Sequence, residues 1–337
     1  MKPLEGKILV TGAAGLIGSA IVWELNRRGI TNILVTDRFS ERGLRDERWK
    51  NLVGLKFNDY IDGDDFVADI EKAPMSHGEF SAVFHLGACS STTETDVDYL
   101  MRNNFGVTKK LAGWALHRGT RFIYASSAAT YGDGSAGMED GDAKIEALRP
   151  LNAYGFSKHL FDLHAKQNGW LHKIAGLKYF NVFGPNEYHK GEMRSLVCKA
   201  CEQIKATGQM QLFKSHKPEY KDGEQMRDFL YVKDAARMTL HFAEGPGEKA
   251  AGLFNLGSGE ANTWLELARS IFAAMGLPEK INFVEIPEHI RQKYQYYTKA
   301  DIGRLRSSGY NEPVTPLKEA VRDYVQGYLV GGKHLGE

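Results

Sequence analysis

The chain has almost no net charge, few cysteines and no apolar run long enough to span a membrane. Its 43 Lys and Arg residues nearly balance its 42 Asp and Glu residues in 337, leaving a formal charge of +1. Such a balance creates no field that would attract nucleic acid or an anionic membrane. Three cysteines in a chain of this length favour a reducing compartment over a disulfide framework. We therefore expect a cytoplasmic protein, without a signal peptide, that binds neither nucleic acid nor membrane.

The chain also has little that could bind a metal ion. Cys198 and Cys201 form a lone C-x-x-C pair, and the apolar residues around them recur at helical spacing. A zinc site needs further ligands nearby, and we identify none. We interpret the pair as two thiols on a helix and expect no metal site. The sequence has no internal repeats and no low-complexity tracts, so neither a repeat architecture nor a biased, disordered segment is indicated.

The most specific feature that is present is a glycine-rich turn at residues 11–18. Gly12, Gly15 and Gly18 lie between an apolar run and a segment with helical apolar spacing. A strand, a tight turn and a helix in that order let the backbone approach a pyrophosphate, which the helix N-terminus stabilises. Asp37 ends the next apolar run, about 20 residues further on, where an acid can bind an adenosine ribose. Glycine-rich turns can be purely structural, but this turn together with Asp37 predicts dinucleotide binding.

Short apolar runs alternate with amphipathic segments through the first half of the chain. Runs that are apolar throughout are typical of parallel strands buried on both faces, so the alternation predicts a doubly wound α/β (Rossmann) sheet. We expect a cofactor lobe at 1–180 and 228–258, and a smaller mixed α/β substrate lobe at 181–227 and 259–337. Strands are predicted at 8–10, 33–35, 82–86, 122–125, 174–179, 228–232 and 252–257, a helix at 233–243, and a loop or ribbon at 211–224.

Tyr154 and Lys158 are the strongest candidates for chemistry. They lie four residues apart at the start of a predicted helix, which puts both side chains on one helix face. An ammonium near a phenol favours the phenolate, so we expect Lys158 to lower the pKa of Tyr154 from its reference value of about 10. A tyrosine beside a lysine is common on helix surfaces, but its place downstream of a nucleotide-binding turn favours catalysis.

Three other polar residues have less specific surroundings. Ser127 follows the apolar run at 122–125, where its hydroxyl could polarise a carbonyl or could only satisfy its own turn. Lys190 follows the predicted passage between the lobes, and clefts between lobes are common ligand sites. It could be a solvated side chain or a second proton donor on the opposite side of a substrate. His85 lies inside an apolar run, and we interpret it as a packed core histidine rather than a base.

These motifs together resemble the extended short-chain dehydrogenase/reductases, which share T-G-x-x-G-x-x-G, a serine at a strand end and Y-x-x-x-K. Within that superfamily, several segments are similar to the ADP-L-glycero-D-manno-heptose 6-epimerases. They are G-A-C-S-S-T-T-E at 87–94, Y-A-S-S-A-A-T-Y-G at 124–132, Y-F-N-V at 179–182 and H-K-G at 189–191. The A-C-S-S-T-T-E and H-K-G segments are specific to this family, and the similarity covers nearly the whole chain.

The resemblance implies epimerisation at C6 of a nucleotide-diphosphate heptose, in the synthesis of the lipopolysaccharide inner core. The C6 hydrogen is not acidic, so inversion requires transient oxidation with bound NADP rather than deprotonation. Hydride then returns to the other face of the carbonyl, and Tyr154 and Lys190 match the family's pair of proton-transfer groups. Ser127 would polarise the oxygen, and Lys158 would hold the cofactor ribose. The family also suggests a homo-oligomer, a pentamer.

The family's binding residues can be carried over to matching positions of this sequence. The resemblance places the cofactor against Leu16, Ile17, Asp37, Arg38, Arg48, Leu86, Gly87, Ala88, Cys89, Ser90, Asn103, Lys158, Val182 and Lys190. It places the substrate against Ser127, Asn181, Glu192, Lys199, Leu212, Phe213, Lys214, Ser215, Arg227 and Tyr294. Arg227 could pair with a diphosphate. Glu192 and Lys199 depart from the serine and histidine that family members commonly carry, and Glu192 adds an anion unless Arg194 or Lys199 offsets it.

Arg38 favours NADP over NAD as the cofactor. The family's residue after the acid is usually polar and uncharged, whereas a guanidinium there can pair with a 2′-phosphate. Arg42, Arg45 or Arg48 on the following segment could do the same. Asp37 alone would favour the unphosphorylated ribose. We therefore expect NADP, with NAD as the other possibility.

Other functions are compatible with part of this pattern. A nucleotide-sugar 4-epimerase would tolerate the small residues Ala128 and Ala129, and only the family-specific segments argue against it. A 4,6-dehydratase needs an acid–base pair at those positions, so dehydration is disfavoured. A non-catalytic nucleotide-sensing protein would have no reason to keep the four candidate catalytic residues together.

Overall fold

The computed structural model describes residues 4–39, 46–245, 247–291 and 294–337. These residues form thirteen strands: β1 (Ile8–Thr11), β2 (Ile33–Asp37), β3 (Asp59–Asp62), β4 (Ala82–His85), β5 (Arg121–Ser127), β6 (Ala175–Tyr179), β7 (Asn181–Phe183), β8 (Met210–Phe213), β9 (Met226–Arg227), β10 (Phe229–Tyr231), β11 (Gly252–Leu256), β12 (Asn262–Thr263) and β13 (Ile281–Val284). Seven strands form one parallel sheet in the order β11-β6-β5-β4-β1-β2-β3, which confirms the predicted Rossmann architecture.

The strands of the large sheet, apart from β3 at its edge, are buried on both faces. In β1, Ile8 and Val10 pack into the core on one side, and Leu9 packs into the core on the other. This pattern is what helices on both faces of a parallel sheet require, and six of the seven strands coincide with predicted apolar runs. The seventh, β3, is not predicted, because its sequence D-Y-I-D is mostly polar and it lies at the exposed edge of the sheet.

Helices cover both faces of this sheet. The helices of the described residues are α1 (Leu16–Arg27), α2 (Gly63–Lys72), α3 (Val97–Leu100), α4 (Val107–His117), α5 (Ala153–Gln167), α6 (Leu196–Thr207), α7 (Val232–Glu244), α8 (Trp264–Met275), α9 (Glu288–Arg291), α10 (Gly303–Ser307) and α11 (Leu317–Tyr324), and five of them pack on the large sheet as follows. Helices α1 and α7 pack on one face, whereas α2, α4 and α5 pack on the other. A wide π turn at Met101–Gly106 joins α3 to α4. Helix α7 confirms the helix predicted at 233–243.

The remaining strands form three small pairs beside the large sheet. Strand β7 pairs in parallel with β10, β8 pairs in parallel with β13, and β9 pairs antiparallel with β12. The run predicted as a strand at 228–232 therefore contains β10, which pairs with β7 outside the large sheet. The segment predicted as a loop or ribbon at 211–224 begins inside β8 and continues as turns.

The predicted thiol pair lies on a helix. Cys198 and Cys201 are both buried on α6, which confirms that interpretation. Among the residues that the structure describes, no set of three or more His, Cys, Asp or Glu residues is grouped so that it could hold a metal ion. Within the same ranges, no helix has the length and apolar character needed to cross a bilayer.

Candidate active site

The glycine turn between β1 and α1 is held by contacts that leave no space for side chains. Gly12 has a φ of 65°, and a Cβ there would lie 2.5 Å from the backbone nitrogen of Gly87, which follows β4. A Cβ on Gly18 would overlap the carbonyl oxygen of Gly12. Gly15 immediately precedes α1 and lines the adjoining cleft. The turn therefore presents bare backbone and a helix N-terminus, an arrangement that fits a pyrophosphate.

Beside this turn lies a cleft of about 1310 Å³ at the carboxyl ends of β4, β5 and β6. This volume exceeds the roughly 300–1,000 Å³ of ordinary small-molecule pockets, so two ligands can be accommodated together. The predicted residues that line it come from distant parts of the sequence. They are Gly12, Gly15, Leu16, Ile17, Gly18, Arg48, Leu86, Ala88, Cys89, Ser90, Ser127, Tyr154, Lys158, Asn181, Val182, Lys190, Glu192, Lys199, Leu212, Phe213 and Tyr294.

A second cavity of about 240 Å³ adjoins the glycine turn near the end of β2. Its lining includes the other predicted cofactor residues, Asp37, Arg38, Gly87 and Asn103, as well as Arg48. Because the two cavities share Gly12 and Arg48, a dinucleotide can extend from one into the other. Arg42 and Arg45, also considered for the 2′-phosphate, lie outside the described residues.

The Asp37 carboxylate is buried at the end of β2 and is fully engaged. Its Oδ2 accepts the Ala14 N–H at 2.8 Å, and its Oδ1 pairs with the Arg48 guanidinium at 2.9 Å. Burial raises the pKa of Asp37, while the Arg48 charge acts in the opposite direction. Arg48 also pairs with Asp46 at 2.5 Å, so this arginine at the rim of the smaller cavity is shared by two carboxylates.

Arg38 adds a second guanidinium to the same cavity. It pairs with Asp64 at 2.6 Å and donates a hydrogen bond to the amide oxygen of Asn103. Since Asp64 is largely exposed, with 72% of its side chain accessible, an incoming phosphate can compete with it for Arg38. The smaller cavity is therefore able to receive a doubly negative group.

Ser127, Tyr154 and Lys158 meet at the carboxyl end of β5. Lys158 is buried and donates a hydrogen bond to the carbonyl oxygen of Ala125 at 2.8 Å. The Ser127 hydroxyl is hydrogen-bonded to the Tyr154 phenol. All three side chains line the cleft, so a substrate hydroxyl can reach a phenol and a serine hydroxyl together.

The pKa of Tyr154 is raised, whereas the sequence predicted that Lys158 would lower it. Burial raises it above the ordinary value, and the hydrogen bond from Ser127 offsets only part of that rise. Burial also lowers the pKa of Lys158 to about 8, although the Asp162 carboxylate opposes this change. The prediction that Lys158 lowers the pKa of Tyr154 is therefore wrong for the protein alone. It neglected desolvation, and the Lys158 ammonium is directed at the Ala125 carbonyl instead.

Lys190 reaches the cleft from the turn Tyr188–Met193, which follows β7. Burial lowers the pKa of its ammonium, and the Glu187 carboxylate partly opposes that shift. The ammonium makes no hydrogen bond to any residue within the described ranges. An amine whose pKa is shifted toward neutrality is suited to proton transfer, so the cleft offers a second proton-transfer group besides Tyr154.

Three of the predicted substrate residues do not line the cleft. Lys214 pairs with Glu285 at 3.0 Å, and the Ser215 N–H donates to Asp222 at 2.7 Å. These contacts hold both residues, in the loop region after β8, against neighbouring side chains and away from the cleft. Their predicted substrate contact is not supported, whereas their neighbours Leu212 and Phe213 do line the cleft.

Arg227 is the third of these residues, and it lies buried behind the cleft wall. Its guanidinium stacks on Trp264 and Tyr294, with ring centroids 5.7 Å and 5.3 Å away, and donates to the carbonyl of Gln295. These contacts do not test the predicted pairing of Arg227 with a diphosphate, which stays a prediction. Arg227 supports Trp264 and Tyr294, which do line the cleft.

The two departures from the family pattern both lie on the cleft wall. The Lys199 ammonium donates to the backbone carbonyl of Glu192 at 3.0 Å, and Arg194 donates to Glu202 at 2.6 Å. Neither cation is bound to the Glu192 carboxylate. The exposed Glu192 carboxylate at the edge of the cleft is therefore not paired with either of the two cations that could offset it.

Two histidines and one asparagine complete the site. His85 is buried between the hydroxyls of Thr11 and Thr108, at 2.7 Å and 2.8 Å, and burial lowers its pKa to about 3. This confirms a core histidine. His189 lines the cleft; the sequence placed it in the H-K-G segment but assigned it no role. Asn104 in the π turn was not singled out from the sequence, and its amide binds both the N–H and the carbonyl of Cys89 at 2.9 Å.

The cleft lining that the sequence did not predict is largely apolar or aromatic. Phe180, Met193, Trp264 and Leu267 are examples. Such residues could not be separated from ordinary core residues by periodicity alone, because burial in a wall and burial in a core produce the same pattern. Asn104, in contrast, is a polar residue inside an otherwise amphipathic segment, and this pattern marks it in the sequence.

Comparisons with known proteins agree with this geometry. Residues 8–257 match the NAD dependent epimerase/dehydratase family. The ADP-L-glycero-D-manno-heptose-6-epimerase of Nitratidesulfovibrio vulgaris (strain Hildenborough) is 48% identical over 321 residues, covering 95% of this chain and 97% of the relative. The crystal structure of the Helicobacter pylori ADP-L-glycero-D-manno-heptose-6-epimerase has a TM-score of 0.79 at 26% identity and covers 96% of both chains. The UDP-glucuronic acid 4-epimerase from Bacillus cereus, in complex with NAD, has a TM-score of 0.73 at 25% identity over 96% of this chain and 99% of that one.

Proposed function

Because this chain belongs to the NAD dependent epimerase/dehydratase family, and within it to the ADP-L-glycero-D-manno-heptose-6-epimerases, we propose that it inverts C6 of ADP-D-glycero-D-manno-heptose. The resemblance found in the sequence segments is thereby confirmed. The observation that carries the proposal is the single cleft in which Tyr154 and Lys190 lie beside the glycine turn. The two groups supply the proton transfers that a reversible oxidation at one carbon needs twice.

A nicotinamide dinucleotide is the cofactor of this family, and the bare backbone around Gly12 and Gly18 fits its pyrophosphate. When bound, the nicotinamide supplies a reversible hydride acceptor. We assign NADP rather than NAD, supported by the two guanidinium groups of Arg38 and Arg48 at the smaller cavity. Asp37 remains able to accept a ribose hydroxyl, so binding of NAD is the competing outcome.

The residues of the chain act on the C6 oxygen from two sides. Ser127 donates a hydrogen bond to the oxygen as it becomes a carbonyl, and Tyr154 exchanges the proton in one step. After the C6 group has rotated, the oxygen faces the other side of the cleft, where Lys190 exchanges the proton. Lys158 remains an ammonium that holds the cofactor ribose near Tyr154.

We also propose that the chain has two lobes, of which residues 1–180 and 228–258 bind the cofactor. We further propose that it forms a homo-oligomer. In the two-lobe division, the substrate lies against Asn181, Leu212, Phe213 and Tyr294, all of which line the cleft. The Glu192 carboxylate then lies close to the bound sugar nucleotide. We expect it to influence which sugar is accepted.

Epimerisation in deuterium oxide tests the proposal directly. The purified protein is incubated with ADP-D-glycero-D-manno-heptose, and C6 is examined by NMR. Transient oxidation returns the same hydride, so the inverted product should carry no deuterium at C6. Deuterium at that carbon, or conversion of UDP-glucose in place of the heptose, would contradict the proposal and favour deprotonation or a 4-epimerase.

A further inference from the structure

An ion pair lies fully buried behind the catalytic residues, outside the cleft. The Asp162 carboxylate on α5 and the Lys178 ammonium on β6 are 2.8 Å apart, and both side chains are excluded from solvent. Burying two charges costs free energy that their attraction rarely exceeds by much, and an apolar pair of similar volume often stabilises a protein equally well. The pair is therefore poorly explained by stability alone.

The carboxylate branch of this pair ends on strand β5. Asp162 accepts hydrogen bonds from the Tyr124 hydroxyl and from the Ser126 hydroxyl, each at 2.8 Å. Ser126 directly precedes Ser127, and successive side chains of a strand point to opposite sides. Holding the Ser126 hydroxyl against α5 therefore fixes the backbone of β5 directly before Ser127.

The Lys178 ammonium is connected to the backbone of Ser127 through Thr130. Lys178 donates to the Thr130 hydroxyl at 2.6 Å, and Thr130 in turn donates to the backbone carbonyl of Ser127 at 2.8 Å. The ammonium also lies 5.0 Å from the centre of the Tyr131 ring. The turn that follows β5 is thus bound to β6 through Lys178.

Lys158 connects this network to the reacting groups. It lies one helical turn before Asp162, on the same face of α5, and its ammonium binds the Ala125 carbonyl at 2.8 Å. Four consecutive residues of β5, at 124–127, are therefore each held either by α5 or, through Thr130, by Lys178. The helix that carries Tyr154 and the strand that carries Ser127 cannot shift independently while these bonds persist.

We propose that Asp162 and Lys178 are positioning residues for the reaction, which hold Ser127, Tyr154 and Lys158 in the arrangement that proton transfer requires. The inference rests on the proposed function, because it assigns the pair to those catalytic residues. Neither residue touches the substrate or the cofactor. Their contribution therefore belongs to the rate of the chemical step and not to substrate binding.

The test removes both charges at once. In the double variant Asp162→Asn/Lys178→Met neither charge of the pair is left without the other, and the asparagine oxygen still accepts from Tyr124 or Ser126. We expect kcat to fall by about tenfold or more, because small misplacements of reacting groups are costly. The KM for the sugar nucleotide should stay within about threefold of the wild-type value, since the substrate contacts are unchanged. A folded double variant whose kcat lies within about twofold of wild type overturns the proposal.

A second variant covers the case in which the double variant does not fold. Thr130→Val removes only the hydroxyl that links Lys178 to the Ser127 carbonyl and keeps the shape of the side chain. We expect it to remain folded with kcat lowered by about threefold or more. If its kcat equals that of wild type, the link to Ser127 has no catalytic role and the proposal fails.

The pH profile separates positioning from a purely structural role. Asp162 raises the pKa of Lys158, and the other titratable groups near this side chain are Cys89, His85 and Tyr154. In Asp162→Asn the alkaline limb of kcat should therefore move to lower pH. A matched control is Asp234→Asn on α7, which removes another buried carboxylate, bonded to Thr315 and remote from the cleft.

The control should lose thermal stability and keep both kcat and the alkaline limb. If Asp162→Asn behaves like the control, the pair is only structural. Wild-type turnover is measured first with the same substrate. Absence of any epimerisation by the wild-type protein contradicts the proposed function, whereas normal turnover in the double variant contradicts only the positioning role.

Discussion

Replacing Tyr154 by phenylalanine removes one hydroxyl from the cleft and leaves the ring in place. The fold should be unaffected, because the ring keeps its packing and only the hydrogen bond from Ser127 is lost. What disappears is one of the two groups that exchange a proton with the C6 oxygen. We expect kcat to fall by about a hundredfold or more, since general acid–base catalysis commonly contributes 10²–10⁴-fold.

The expected loss of kcat can be related to the activation free energy and to the protonation state of the Tyr154 phenol. A hundredfold decrease corresponds to about 2.7 kcal/mol of lost transition-state stabilisation. Burial holds the pKa of Tyr154 above its ordinary value, so the phenolate is the minor form near neutral pH in the protein alone. The phenol is thus mostly protonated, and wild-type turnover in the direction that needs the phenolate should rise with pH.

Turnover is measured by NMR of the two C6 epimers at saturating substrate, and binding of the dinucleotide is followed by absorbance. The matched control is Tyr231→Phe, which deletes a buried hydroxyl bonded to Asp323 at 2.5 Å; Tyr231 is not among the residues that line the cleft. The control should turn over normally. If Tyr154→Phe also turned over at a rate within about threefold of wild type, Tyr154 would have no role in proton transfer.

Two other substitutions test the remaining parts of the site. Lys190→Ala should lower kcat about as strongly as Tyr154→Phe, because the two groups act in turn; a variant in which only KM rises would indicate that one group performs both transfers. Arg38→Ala should narrow the preference for NADP over NAD by about tenfold, measured as the ratio of the two dissociation constants, since one guanidinium facing the 2′-phosphate is lost. An unchanged ratio would assign the phosphate contact to another residue.

Local patterns were sufficient for the parts of the fold that are buried on both faces. The apolar runs predicted at 8–10, 33–35 and 82–86 became adjacent strands, because a two-sided core admits few other patterns. Strand β3 could not be predicted in this way, since it pairs through its backbone at a sheet edge while its side chains remain polar. The pairing of β8 with β13 was also inaccessible, because it joins segments that are distant in sequence.

The parts of the candidate site that a sequence motif places on a helix or turn could be predicted. The partners of charged side chains were harder to predict. Tyr154 and Lys158 lie where helical spacing puts them, on one face of α5. Arg227, in contrast, was expected to bind a diphosphate, and in the structure it stacks on two aromatic rings. A sequence shows that a cation is present, but not which carbonyls and rings surround it. The prediction of a lowered pKa for Tyr154 was wrong for a related reason. Burial raises this pKa, and the extent of burial depends on the whole fold.

The contact between the glycine turn and the loop after β4 has a practical consequence for protein engineering. An alanine at position 12 would meet the main chain of Gly87, and no choice of side chain at position 87 could relieve that collision. The two sites, 75 positions apart in sequence, therefore cannot compensate for one another. Libraries that diversify the dinucleotide pocket should hold both constant and vary Arg38 or Arg48, where the neighbours are flexible side chains.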